Sequence, residues 1–458
     1  MLFGAPSHRV ESQLNALSLV LAVDGQYIHF PGIVIASFGD IDHHTSECHF
    51  VKSKTDLALG HLNEVHTIYR RVITDKMTVH EATKELNRLL KAKAEWSILS
   101  RVAFNAIRCG IIAPMSFGGS FVDMFVAGAF GGALTFTQLY YAGNNPLFSN
   151  VFEVTAAIII SLLARLLSVK SVFCYQAVAS AGLILVLPGY IILCGSLELA
   201  SKNMIAGSVR LVYAIIYALF IGFGIAIGSD LYFVFDPAAR KSIWLPLDTQ
   251  TEVKGSFTFA NETMPHWSGQ FTFSNGTKNA LSTGSINCER LPEWPWYRQP
   301  VDPLFNILFV PLFAFLGCFA LLHPFKSLEV PVSVVIACIG YITNLMANRY
   351  IFGRSDVVSA IGSFAIGILG NAYSRVFSRT AFTAMTVAIL FLVPNGLAMA
   401  GGLAMTYKGS DGDLYSNGLS IGLRMVQVSI GITTGLFASA LVVYMFGSKR
   451  KNAHLFAF

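Results

Sequence analysis

Hydrophobic residues fall into two regimes along this chain. Up to residue 95 they recur singly among polar positions; from about residue 98 they run in blocks long enough to cross a bilayer. In the first regime Val10, Leu14, Leu17 and Leu21 repeat at helical spacing. Tyr27 to Asp40 is rich in β-branched and aromatic residues and is cut by Pro31-Gly32, which predicts two strands. Cys48-His49-Phe50-Val51 reads as a third strand, and Leu62, Val65, Tyr69 and Val72 as an amphipathic helix. Thr78 with Glu81 three residues on is a capping box, opening a helix that carries Val79, Ala82, Leu86 and Leu89. Residues 1–97 are therefore expected to form a small soluble α+β domain.

In the second regime the apolar blocks predict helices over 99–118, 121–141, 151–168, 171–199, 207–233, 304–323, 330–350, 356–375, 380–406 and 419–446. About 20 residues of helix cross the hydrocarbon core. The expected fold is an α-helical polytopic membrane protein with ten transmembrane helices. The first five helices occupy 98–235, a polar loop follows over 236–303, and the second five with a short basic tail occupy 304–458. The later half echoes the earlier one. Leu185-Val186-Leu187-Pro188-Gly189 precedes Gly195-Ser196-Leu197, as Phe391-Leu392-Val393-Pro394-Asn395-Gly396 precedes Gly401-Gly402-Leu403. An apolar helix carrying Arg210 follows the first break and one carrying Arg424 follows the second. Five helices per half is an odd number, so the halves must enter the membrane from opposite faces as inverted repeats.

Composition agrees with this class. Of 458 residues, 54% are hydrophobic and only 13% charged, about half the roughly 25% usual in soluble domains. The net charge of +6 is modest and points to no nucleic-acid partner; the partners expected are the lipid bilayer and a small-molecule substrate, and homo-oligomerisation is compatible with the pattern. Lys91, Lys93 and Arg101 flank the first helix, and Lys449, Arg450 and Lys451 follow the last, which places both termini in the cytoplasm. The loop carries two glycosylation sequons, at Asn261 and Asn275, and Trp294-Pro-Trp296-Tyr297 just before the sixth helix; both fit an extracytoplasmic stretch. A plasma membrane or an endomembrane suits this equally. Met1 to Ser12 has no apolar core of a signal peptide. The seven cysteines contain no Cys-x-x-Cys, and neither a zinc site nor a disulfide scaffold is expected from them.

Charge at mid-bilayer costs about 2.5–3.5 kcal/mol on insertion scales. Asp123 stands out, set between Gly118-Gly119-Ser120 and the small-residue run Ala127 to Gly132. It could bind a substrate ammonium group or a proton, with Arg108 offsetting its charge, or it could be a helix-start carboxylate near water. Glu198, Asp230, Arg210 and Arg424 lie near predicted helix ends and read as structural. Around Pro188-Gly189 and Pro394-Asn395-Gly396, proline frees a carbonyl and glycine admits unusual backbone angles; such a break can grip a zwitterion or an ion, or can be a plain kink. Asn344, Asn348 and Asn371 could line a path or bond between helices. Eight of eleven histidines fall in the first 80 residues, but no HExxH or GxSxG accompanies them, and no catalytic residue, metal ligand or cofactor is assigned.

Gly4-Ala-Pro-Ser-His-Arg9-Val-Glu11-Ser-Gln-Leu14, continued by Asp24-Gly-Gln-Tyr-Ile-His-Phe-Pro31 and Ser37-Phe-Gly-Asp40, resembles the opening segment of the threonine/serine exporter family. The five-plus-five plan and the proline breaks are similar too, and the long central loop looks most like the fungal branch of pheromone-regulated membrane protein 10-like proteins. The resemblance implies a ten-helix carrier with a soluble N-terminal domain, exporting threonine and serine on the proton gradient as bacterial members do. Within the family that domain has been viewed as hydrolase-like; the sequence shows no nucleophile for it. The leading reading is thus a secondary transporter of small polar amino acids. The alternatives are a membrane-anchored hydrolase, for which His8, His29 and Asp40 would be needed, and a non-transporting scaffold.

Overall fold

A computed structural model describes residues 2–40, 45–52, 57–92, 94–143, 145–169, 172–237, 250–257, 267–274, 294–351, 354–377, 379–399 and 413–445. The N-terminal elements are α1 (Ser7–Val20), strands β1 (Gly25–Phe30), β2 (Ile33–Asp40) and β3 (Thr45–Lys52), then α2 (Leu59–Ile73) and α3 (Val79–Lys91). The strands form an antiparallel meander in the order β1-β2-β3. Its first turn pairs Phe30 with Ile33 across Pro31-Gly32, and Gly32 adopts φ +87°, an angle that a side chain would oppose. The capping box of α3 is formed as the sequence predicts: Glu81 N donates to Thr78 Oγ1 (3.3 Å) and Thr78 N to Glu81 Oε2 (3.2 Å).

The remaining helices are α4 (Ile98–Phe117), α5 (Phe121–Thr137), α6 (Pro146–Ser168), α7 (Tyr175–Gly182), α8 (Gly189–Ala200) and α9 (Met204–Phe235), followed by α10 (Asn306–Ala320), α11 (Glu329–Tyr350), α12 (Ser355–Phe377), α13 (Ala381–Met399) and α14 (Asp413–Met445). Among the described residues eight helices are long and apolar enough to cross a membrane, and two shorter apolar helices, Gly189–Leu199 and Ala381–Val393, accompany them. The single helix expected over 171–199 is two helices, because the chain leaves the helical path after Gly182. The stretch expected as a polar loop contains an antiparallel hairpin, β4 (Gln250–Phe257) with β5 (Trp267–Ser274). Asn261 and Asn275 lie outside the described residues.

Glycines set the closest helix contacts. On α9, Gly224 and Gly228 lie against α6: a Cβ on Gly224 would stand 2.9 Å from Ala157 Cβ, and one on Gly228 would strike the Ile158 carbonyl. On α14, Gly431 and Gly435 have the same spacing and meet the carbonyls of Asp356 and Ala360 on α12. Gly128 and Gly110 bring α4 and α5 together in the same way, against the Ala106 and Met124 carbonyls at 2.9 Å each. In lipid, where water drives no hydrophobic association between helices, close backbone approach of this kind supplies much of the packing.

Four helices end alike. Ala22, Asp75, Lys202 and Leu322 all take positive φ, and each is followed by a residue whose N–H reaches back into the last turn, as His323 N does to Cys318 O (3.0 Å) and Asn203 N to Glu198 O (2.9 Å). This is the Schellman closure, with glycine absent from its usual place. Two of the four turns, after α8 and α10, abut the N-terminal elements. Leu59 N donates to Leu321 O (3.0 Å), and Trp96 Nε1 to His323 O (3.1 Å).

Candidate functional site

The interruption between α7 and α8 is built from Leu183 to Pro188. Pro188 has no N–H to give the carbonyl four residues back. Tighter turns replace the ladder: Ile184 N reaches Ala181 O (3.4 Å) and Val186 N reaches Leu183 O (3.1 Å), and α8 resumes with Ile192 N on Pro188 O (3.0 Å). Gly189 is pressed against the later half of the chain, where an added Cβ would stand 3.1 Å from Val393 Cγ1. The residues on either side of the two proline motifs therefore touch. The motifs themselves differ. Pro394, Asn395 and Gly396 lie inside α13, which continues to Met399, so the expected second interruption is not one. In the first half the helix stops at Gly182, well before its proline, although Leu183 to Leu187 are as apolar as the Leu390 to Val393 run that stays helical up to Pro394, so local composition does not account for the difference.

Asp123 is fully buried at the start of α5. Its Oδ2 accepts from Ser120 N (2.8 Å) and Ser120 Oγ (2.9 Å), and its Oδ1 accepts from Cys174 N (2.9 Å), at the start of α7. It caps one helix and ties in the next. Arg108 does not offset it. That side chain lies midway along α4, donates to Asn105 Oδ1 (3.2 Å) and sits over the Phe313 ring of α10 at 4.8 Å. The Arg108 Nε is buried and without a partner, and Gly317 of α10 stands beside it. The cysteine spacing argued for no disulfide scaffold, yet one cysteine is bridged. Cys174 is disulfide-bonded, and an isolated cysteine in an apolar run gave no spacing from which to foresee it.

Of the asparagines, Asn344 bonds between helices, to Val358 O (3.4 Å), while Asn371 is fully buried with neither amide atom partnered. Small-residue positions Gly362 and Gly367 serve packing, against Asn344 and Ser439.

The N-terminal segment is bolted to the membrane helices by a network that sequence reading did not assemble. Glu198, at the end of α8 and fully buried, accepts from Ser7 N (2.8 Å) at the first turn of α1 and pairs with Arg210 Nε (3.3 Å) on α9. A carboxylate at a helix N-terminus is favourably placed against the exposed N–H groups. Arg210 also reaches Ser7 Oγ (3.2 Å), Tyr190 donates to the Gly4 carbonyl, and Glu11 joins Asn203 Nδ2 (3.2 Å) to the backbone of His29 (2.8 Å). The quoted opening motif, Gly4 to Glu11, thus carries the docking contacts. A second cluster, also missed, holds the buried His323 and Glu329 with the half-exposed Arg379 beside them. Its signal was available: Glu329 is the sole carboxylate between Asp302 and Asp356.

Burial holds several imidazoles neutral. His8 and His29 are pushed down to about 4, first by desolvation and then by nearby guanidiniums, Arg9 and Arg210 for His8 and Arg210 for His29. His66, beside Arg9, is pushed down to about 3 for the same reasons. Between the ordinary value of 6.5 and about 4 the unfolded chain binds more protons than the folded one, so stability rises with pH through that window and falls as pH drops through it. Thermal unfolding of purified protein is expected to move to lower temperature from pH 7 to pH 4, and His29→Phe should flatten that slope. A slope unchanged by the substitution counts against this origin. Among the described residues no group of three or more His, Cys, Asp or Glu side chains is arranged to hold a metal.

An interrupted apolar helix, apolar halves in contact and, among the described residues, eight helices long and apolar enough to cross a membrane define a multi-pass helical membrane protein. A family model described as "Putative threonine/serine exporter" matches residues 1–232, and one described as "Threonine/Serine exporter, ThrE" matches residues 306–442. The chain belongs to the threonine/serine exporter family. It is 38% identical, over its whole length, to a Schizosaccharomyces pombe protein named only as uncharacterized, and covers 55% of it. Pheromone-regulated membrane protein 10 of Candida albicans is 37% identical over 98% of the chain, and that of Kluyveromyces lactis 36% over 98%. The chain spans 38% and 43% of those two proteins, so roughly half or less of the length of these relatives is represented. No solved structure matches it.

Proposed function

We propose that this chain is a secondary transporter that exports small polar amino acids such as threonine and serine, coupled to protons, through two inverted five-helix repeats. Several contacts support the inverted plan. The fifth helix of each half packs on the third through a Gly-xxx-Gly pair, Gly224/Gly228 in one and Gly431/Gly435 in the other. The second helix of each half opens with a buried carboxylate, Asp123 in α5 and Glu329 in α11. Asp123 reaches the start of the fourth segment at Cys174, and Glu329 faces Arg379 just ahead of α13. In this reading Cys174 and the glycan sequons face the oxidising side. The N-terminal elements, docked at Glu198 and Leu321, face the cytosol as a soluble domain.

The observation that carries a substrate site is Arg108. A guanidinium halfway along an apolar helix is costly, and it persists here with its Nε unpartnered, facing α10 of the other half. It would take the substrate carboxylate. The backbone of 183–189 and the Val393–Gly396 segment would frame the zwitterion, and Asp123 would fix the outer ends of α5 and α7 rather than grip the ligand. Arg108→Gln is expected to lower threonine efflux from loaded vesicles by at least about tenfold, the cost of one charge-assisted contact, with the melting temperature preserved. Undiminished efflux overturns the site. Asp123→Asn should instead lower flux and melting temperature together, since a carboxylate accepting three bonds is lost. The structure lends no specific observation to the hydrolase or scaffold readings.

A further inference from the structure

The acid that opens α11 differs from its counterpart in α5. Glu329 is fully buried, and no donor makes a close hydrogen bond to either of its carboxylate oxygens, the Thr383 hydroxyl being the neighbour placed to assist it. His323 Nδ1 stands 3.5 Å from Oε2, and Arg379 Nη1 stands 3.8 Å from Oε1, well beyond the 2.7–2.9 Å of a charge-assisted bond. His323 is itself fully buried, with both ring nitrogens unpartnered. Every element packed around the acid contributes a polar group. Cys318 comes from α10, Tyr373 from α12, Thr383 from α13 and Ser333 from α11 itself, and Trp96 holds the His323 carbonyl from the N-terminal side. The Tyr373 hydroxyl and Ser333 Oγ are also buried and make no close hydrogen bond, with Arg379 and Cys318 as their nearest polar neighbours. Native proteins pair nearly all such groups, so a cluster left open calls for a functional explanation.

Water comes as close to it as its neighbour Arg379. A cavity of about 530 Å³ opens between the N-terminal elements and the helices, lined by Asn63, Thr67 and Arg71 of α2, Glu85 and Arg88 of α3, and Arg379. Arg379 is shared: it lines that cavity and faces Glu329 behind it. We propose that Glu329, assisted by His323, is a proton-binding site, reached from the cytosol through this cavity and gated by Arg379. Loading forms an O–H bond on a Glu329 oxygen with a proton from cavity water. Release breaks that bond and returns the proton to water, and Arg379 then closes on the carboxylate as its counterion. A metal cation is disfavoured, because one carboxylate and a few hydroxyls fall short of the six or more oxygens a hard cation wants, and a guanidinium already stands beside them.

The proposal rests on the transport reading only for what the proton drives, and its occupancy can be tested without transport. Infrared spectra of purified protein between pH 5 and 9 should show a protonated-carboxyl band that titrates and that Glu329→Gln removes. A band absent from the wild type, or untouched in the variant, overturns the site whatever the protein carries. In proteoliposomes Glu329→Gln should keep threonine counterflow within about twofold while losing at least about tenfold of pH-gradient-driven accumulation, and Glu329→Asp should restore part of it. Equal loss of both activities would mark the residue as structural only, and accumulation that follows a sodium gradient would replace the proton. Should wild-type vesicles move no amino acid, the transport reading fails while the infrared result still decides the site.

Discussion

Arg210→Ala is expected to be among the most damaging single changes in the chain, lowering stability by about 3–5 kcal/mol, the range for removing one partner of a buried ion pair. Glu198 is fully buried, and its side chain would lose the guanidinium that now lies 3.3 Å away while still facing the first turn of α1. Ser7 would lose a donor at the same stroke. Because Ser7, Gly4 and Glu11 all dock near this point, the variant should also free the N-terminal segment, seen as rapid protease cleavage around α1 in otherwise folded protein. Glu198→Gln should be milder, about 1–2 kcal/mol, since Arg210 keeps Ser7 Oγ and is partly exposed. Combining the two should recover part of the loss, and the double-mutant cycle gives the coupling directly. Additive losses, or an N-terminal segment that stays protected, would show that docking is carried elsewhere.

Gly435→Val is expected to cost about 3 kcal/mol or more, or to prevent folding. The added atoms would enter space held by the Ala360 carbonyl and Ser363 Oγ of α12, and a helix carbonyl cannot step aside as a flexible side-chain tip can. Gly228→Val should do comparable harm through the Ile158 carbonyl of α6. Gly32→Ala is the instructive control: no atom lies within 4 Å of its added Cβ, so its cost comes from φ +87° alone and should stay near 1 kcal/mol. Size-exclusion profiles and melting curves in detergent would rank the three. A tolerated Gly435→Val would mean that α12 and α14 separate more easily than their packing implies.

Much of the architecture was legible because it depends on local pattern. A helix in lipid must satisfy its own backbone, so apolar runs of about 20 residues announced most of the later helices, although the run expected as one helix over 171–199 is two short ones, α7 and α8. The Thr78–Glu81 capping box and the Pro31-Gly32 turn are contained within four residues each and read directly. The proline motifs were legible as places but not as structures. A proline specifies a lost bond, while whether the helix parts there depends on what packs around it, and Pro188 and Pro394 came out differently.

The chain's own order of residues determined its class, its family and the stretches that become apolar helices, but not their number: ten spans were expected, and among the described residues eight helices are long and apolar enough to cross a membrane. Only the tertiary structure decided which charges meet. Asp123 found two helix starts instead of Arg108, Glu198 found Ser7 from a segment nearly two hundred positions away, and Glu329 found His323 and Arg379 but no close hydrogen bond. The physical reason is range. Periodicity and capping act within one or two turns, whereas the electrostatic state of a buried group is set by neighbours that distant segments deliver only when the helices pack.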